Sequence, residues 1–282
     1  MMPVMDERFS AFSFVDRITA LEPGKWARGR FAVPSGLPEF STCLVAEAVG
    51  QLAAWVAMAQ AEFQRRPVAA LSGEMRIVRK AAPGEILDLG VEVESGDPDT
   101  VAFAGWARLA DMPVLALSRC AGPMLPQEDF DAPEAVRGDF ETLCGPGARP
   151  ARFRGIAKPD LVLIDRVPGQ RLRAAMNVPV SAPFFADHFP RRPVFPASLL
   201  LDAQVRLALQ LAGEMLPPGP RLRPARVADV KMRSFILPGQ TVEIEAAIRS
   251  ATDETAELSL AATVDGKRVA TGRVEIDARV PA

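Results

Sequence analysis

The stretch FSFVDRITALEPGKWARGRFAVP (12–34) returns in outline as LVLIDRVPGQRLRAAMNVP (161–179). Both copies run through an apolar stretch, Asp-Arg, a Pro-Gly turn and an alternating strand that ends in Val-Pro. An internal repeat constrains a fold more tightly than composition does, because what one copy forms the other must form as well. The parallel continues. A helix of small and apolar residues follows each opening, at 41–63 and 197–216, and both are apolar nearly all round, as helices enclosed on several sides are. Strand pairs come next, 75–95 matching 231–250 and 101–122 matching 256–277, with Asp265-Gly266 as a hairpin turn. Each half therefore reads as a strand-rich unit with one long helix. The segment between them is rich in Pro, Gly and charge, a linker composition. The expected organisation is a first unit over 1–125, a linker over 126–155 and a second unit over 156–282.

Composition narrows the function classes. With 49% hydrophobic and 24% charged residues and a net charge of -2, the chain has no bias toward nucleic acid or membrane. Three cysteines, Cys43, Cys120 and Cys144, lack metal-ligand spacing, and an odd number without a signal peptide argues against a disulfide framework. A cytoplasmic location is expected. The apolar run 48–61, bounded by Glu47 and Glu62, is short for a bilayer span and reads as a core helix. No nucleotide loop, metal cluster or Ser-His-Asp arrangement is evident, so neither cofactor nor metal is expected.

The single histidine, His188, lies in FFADHFPRRPVFPASLLLDAQ (184–204), a loop stiffened by prolines ahead of the second helix. HFPRRPVFPASLLLDA resembles the signature of the 3-hydroxyacyl-thioester dehydratases of fatty-acid synthesis: His-Phe-Pro, then Pro-Val-x-Pro and a helix bearing an acid. The resemblance extends to LIDRV, LPGQTVEIE and ATVDGKRVA in the second half, and to FVDRITALEPGK, EAVGQ and APGEILDLGVEV in the first. It implies the hotdog fold, an antiparallel sheet wrapped round a long central helix. Two units in one chain imply an α+β double hotdog, an internal pseudo-dimer, either monomeric or part of a higher homo-oligomer.

The resemblance further implies a site between two units, with histidine from one and acid from the other. The first half reaches its helix through only SGLPEF, about ten residues shorter than the second, and has no histidine loop. It keeps EAVGQ, in which Glu47 and Gln51 are four apart on one helical face. His188 and Glu47 would thus complete one site, with Gln51 supporting. Asp202 holds the acid position of the second half, as a second candidate acid facing a half without histidine. Family members use a glycine amide after the second proline for the thioester oxygen; here that residue is Ala197, and Arg191 stands where glycine is usual after His-Phe-Pro.

Dehydration needs a base for the proton beside the thioester carbonyl and an acid for the leaving hydroxyl. An imidazole and a carboxyl raised in pKa by burial suit those tasks. Phe185, Phe189 and Phe195 either line an acyl channel or form plain core. Arginines on expected loops (65, 66, 191, 192, 221, 223, 226) would suit an acyl carrier protein or the phosphates of coenzyme A. Two readings compete with the dehydratase: an acyl-thioester hydrolase of the same fold, and a non-catalytic acyl-thioester-binding protein.

Overall fold

The computed structural model describes residues 9–150, 152–216 and 222–278. The first half contains β1 (Arg17–Glu22), β2 (Trp26–Ala32), α1 (Thr42–Gln60), β3 (Arg65–Pro67), β4 (Leu71–Ile77), β5 (Ile86–Gly96), β6 (Thr100–Leu109) and β7 (Met112–Pro126). A 3-10 turn (Gln127–Asp129) and α2 (Pro133–Cys144) follow. The second half contains β8 (Val162–Val167), β9 (Arg171–Asn177), a 3-10 turn (Pro183–Ala186), α3 (Ala197–Ala212), β10 (Arg223–Met232), β11 (Thr241–Ala251), β12 (Thr255–Val264) and β13 (Lys267–Asp277).

The strands reproduce the repeat. One antiparallel sheet runs β1-β2-β5-β6-β7-β4-β10-β13-β12-β11-β9-β8, a palindrome about the β4–β10 pair, with β3 joined to β7. At the seam Val227 lies opposite Met75 and Ala228 opposite Glu74. The first half-sheet curls round α1 and the second round α3, and the two helices touch. This is the double hotdog that the resemblance implied. Its local causes are legible: in β11, Val242, Ile244 and Ala246 are buried while Glu243 points outward, the period-two pattern of a half-buried strand. Gly24 and Gly169 occupy equivalent hairpin turns with φ of +71° and +63°, and each follows the proline that pre-sets such a turn.

One core cluster spans both halves, so Leu52 and Val56 of α1 belong to the same apolar network as Leu200 and Leu211 of α3. The α1 helix is longer than the apolar run in the sequence. Its 19 residues would suffice to cross a membrane by length and composition, but it is mostly buried within the protein. The segment expected as a linker is likewise more ordered than its composition suggests. It contains α2, whose Val136 and Leu143 are buried and whose Phe140 ring packs on Trp55 and Phe63.

Candidate active site

The Ser41 hydroxyl caps α1 by accepting from the Cys43 amide at 3.2 Å, which fixes where the helix begins and which residues face inward. Further along the helix, six and ten residues beyond Ser41, Glu47 and Gln51 face a cavity of about 640 Å³. Gln51 Nε2 donates to Glu47 at 3.1 Å and to the Phe12 carbonyl at 3.0 Å, while its Oε1 accepts from the Phe14 amide at 2.9 Å. The glutamine therefore orients the acid and fastens segment 12–14 beside it. Burial pushes the Glu47 carboxyl above its ordinary pKa; neighbouring Ser198 and Gln51, and the charge of Arg66, offset part of that rise. Ser198 Oγ itself is buried and makes no hydrogen bond of good geometry.

The histidine comes from the other half. After the turn Pro183–Ala186, Asp187 accepts hydrogen bonds from the amides of Phe9, Ala11 and Phe12 at 3.3, 3.0 and 2.8 Å. The start of the described chain is thereby tied over the histidine, and the Phe12 ring meets His188 edge-on at 5.1 Å. Phe189 stacks against the imidazole at 4.1 Å; the peptide bond between the two residues is cis. His188 Nδ1 lies 3.1 Å from the Val194 carbonyl. A carbonyl can only accept, so Nδ1 carries the proton and Nε2 keeps its lone pair. Burial lowers the imidazole pKa to about 4, against a smaller upward pull from the Val194 bond. The surface that His188 and Glu47 retain faces the cavity, so both are desolvated although neither is wholly inaccessible.

His188 and Glu47 line the same cavity, together with Gln51, Ala197 and Ser198. Ala197 opens α3 behind Pro196, with no side-chain cap. In the first turn of α3 the amides of Leu199 and Leu200 donate to the Pro196 carbonyl, each at 3.1 Å, which leaves those of Ala197 and Ser198 without an intrahelical acceptor at the positive end of the helix dipole. From there the cavity follows α1 past Gly50, Ala53 and Ala54 to Met58, and extends to Val101 and Phe103 of β6.

Of the three candidate channel phenylalanines, Phe189 and Phe195 line the cavity. Phe185 does not: it packs on Phe184 at 4.5 Å, within the core. Asp202 is not brought into the site. It accepts from Ser41 Oγ at 2.5 Å and from Arg206 Nε at 3.2 Å, because its place in α3 points it at the start of α1, in the half that has no histidine loop.

The arginines also depart from expectation. Arg65 and Arg66 are on β3 and Arg223 and Arg226 on β10, not on loops. Arg65 pairs with Asp99, Arg223 with Asp277 and Arg226 with Glu74. Arg191 and Arg192 remain exposed on the histidine loop, and Arg221 lies outside the described residues. Sequence reasoning read Arg66 as a loop arginine for the carrier, whereas it lines the cavity, and it gave no role to Asp187. A half-buried arginine such as Arg66 announces itself only once strand pairing fixes its direction.

Residues 165–273 match the model of the ApeI-like family, described as ApeI dehydratase. The chain is 36% identical over 118 residues to the 3-hydroxyacyl-[acyl-carrier-protein] dehydratase FabZ of Myxococcus xanthus, a match covering 39% of this chain and 77% of that one. The FabZ protein of Cronobacter sakazakii matches at 34% over 116 residues, 38% of this chain and 76% of that one. Among solved structures, a putative oleoyl thioesterase from Lactobacillus plantarum superposes with a TM-score of 0.59 at 14% identity, covering 91% of this chain and 96% of its own. An acyl-ACP thioesterase from Bacteroides thetaiotaomicron gives 0.55 at 10% identity, over 89% and 98% of the two chains. At such identities the superpositions speak to the fold alone.

Proposed function

This chain belongs to the family of hotdog 3-hydroxyacyl-thioester dehydratases, and from that premise we propose that it forms a 2-enoyl thioester with His188 as base and Glu47 as acid. Either an acyl carrier protein or coenzyme A carries the substrate. The observation behind this reading is that a histidine from one half and an acid from the other line one apolar cavity.

The chemistry follows from their states. A neutral imidazole with a free Nε2 takes the proton from the carbon beside the thioester carbonyl. The electron pair of that C–H bond becomes the new C=C bond as the neighbouring C–O bond breaks. Glu47, kept protonated by its surroundings, gives its proton to the departing oxygen, which leaves as water. Negative charge developing on the thioester oxygen meets the first-turn amides of α3, from Ala197 and Ser198. The reaction leaves an imidazolium and a carboxylate, and a proton passing from the first to the second resets the site. Phe12 and Phe189 keep water from the imidazole.

The test is enoyl absorbance from 3-hydroxyacyl thioesters on both carriers, with thiol release recorded in parallel to detect hydrolysis. His188→Ala and Glu47→Gln are expected to lose about 10²- to 10⁴-fold in kcat, while Asp202→Asn stays near wild type. Thiol release without enoyl product would favour the hydrolase, and wild-type inertness on both carriers would overturn catalysis altogether. Loss of activity in Asp202→Asn but not in Glu47→Gln would overturn the pairing.

A further inference from the structure

Arg66 has no part in the mechanism above, yet its side chain lines the same cavity as Glu47 and His188. Its guanidinium lies 4.0 Å over the Phe189 ring and 5.7 Å over that of Phe130. Its Nε is buried without a hydrogen-bond partner. Phe189 stacks on His188 as well as on Arg66, so the imidazole and the guanidinium share one aromatic neighbour. Enclosing an arginine this way is costly unless an anion answers it. Burial lowers even its pKa to about 10, and the opposing charges are Asp131 first and then Glu47.

The acid half of the reaction creates such an anion. When Glu47 releases its proton, a carboxylate appears in a cavity whose walls are mostly apolar. Gln51 and Ser198 offer it dipoles but no charge.

We propose that Arg66 is a positioning residue for the acid step, holding by its fixed charge the carboxylate that Glu47 becomes as it protonates the leaving hydroxyl. The proposal rests on the dehydration reading and adds to it a residue from β3. In this role Arg66 needs no contact with the substrate carbons or the departing oxygen; it acts through Glu47. The other charged groups on the cavity lining are Asp131, Asp139 of α2, Asp187 of the histidine loop and Arg233 beyond β10. Asp187 is engaged by three backbone amides, and Arg233 donates to Thr271.

The signs are testable. Activity requires Glu47 protonated, so its titration sets the alkaline limb of the pH profile, and His188 sets the acid limb. A nearby cation favours both the ionised carboxyl and the neutral imidazole. Arg66→Gln should therefore move both limbs to higher pH, the alkaline one by about one unit, and lower kcat about tenfold. Arg66→Lys should restore most of both. Asp131→Asn leaves the arginine less neutralised and should move the alkaline limb the opposite way, which keeps the idea testable if Arg66→Gln fails to fold.

The Glu47 carboxyl should also be titrated directly by carbon NMR, with Glu47→Gln used to assign its signal. This measurement does not depend on turnover. A Glu47 titration that moves up in Arg66→Gln and down in Asp131→Asn supports the proposal even if every thioester tried proves inert, an outcome that would count against the dehydration reading alone. A Glu47 titration unchanged in these variants overturns the proposal. So would a loss of activity in Arg66→Gln with both limbs in place, the mark of a merely structural residue.

Discussion

Gly50 offers the sharpest handle on what the cavity accepts. It lies in α1 one turn beyond Glu47, and no heavy atom comes within 4 Å of where a Cβ would stand. Other glycines have reasons for lacking a side chain: at Gly105 a Cβ would lie 2.5 Å from Val49, and at Gly90 2.3 Å from Trp106. Gly50 has none, although glycine in a helix interior costs about 1 kcal/mol relative to alanine. Gly50 lines the cavity, and on the dehydratase reading the space beside it is where the acyl chain would run.

Gly50→Ala should therefore be more stable by up to about 1 kcal/mol and nearly as active. Gly50→Leu puts four carbons where an acyl chain would run past the acid. At about 0.8 kcal/mol for each methylene kept out of the apolar wall, excluding three costs about 2.4 kcal/mol, roughly sixtyfold in kcat/KM. That loss should fall on 3-hydroxydecanoyl thioesters and spare 3-hydroxybutyryl ones, whose short chain ends near the reacting carbons. The assay is enoyl formation on both substrates at matched carrier, with circular dichroism as a check on folding. An equal loss on both substrates, or none on either, would refute the claim that the chain passes Gly50.

Stability should depend on pH through the same site. The folded pKa of His188, about 4, lies below its unfolded value of about 6.5, so the unfolded chain binds the extra proton first. Stability should fall as pH drops from about 6.5 to 4, by about 3 kcal/mol for this group, and His188→Asn should flatten that slope in urea titrations. Asp187→Ala strips three amides of their acceptor and should cost about 2–3 kcal/mol. It should also speed hydrogen exchange at residues 9–12; protection there matching wild type would show that the aspartate does not hold the segment.

Most of the framework was legible because its causes are local. Pro-Gly turns, period-two strands and two apolar helices announce themselves within a few residues, and the repeat ties their order together. The helix within the expected linker was legible too, in the spacing of Val136, Phe140 and Leu143 behind a proline at the helix start, but the Pro and Gly around it masked the pattern. The pairing of His188 with Glu47 came through the resemblance, not from any local pattern, and the other residues brought together across the halves were not legible. Asp187 holds amides more than 170 positions away, and Arg66 faces the cavity because β3 pairs with β7. Phe185 and Phe189 share a loop and differ only in the direction that loop gives them.

The asymmetry of the two halves has a structural logic that the repeat makes visible. Glu47 and Asp202 are both the sixth residues of their helices, and each approaches the start of the other half's helix. Glu47 meets Ser198, in the uncapped first turn of α3; Asp202 meets Ser41, the cap of α1. One turn further on, Gln51 stands where Arg206 stands in the other half. A neutral amide leaves Glu47 free to stay protonated in an apolar cavity. An arginine converts Asp202 into half of an ion pair, its lone pairs occupied by Ser41 and Arg206. The same geometric position thus holds an un-ion-paired carboxyl on the cavity in one half and a brace in the other. The α1 amides, which would lie toward any second oxyanion, are already capped by the serine that Asp202 holds. Asp202 faces a half without a histidine loop, and pairing it with Arg206 offsets the cost of burying its charge.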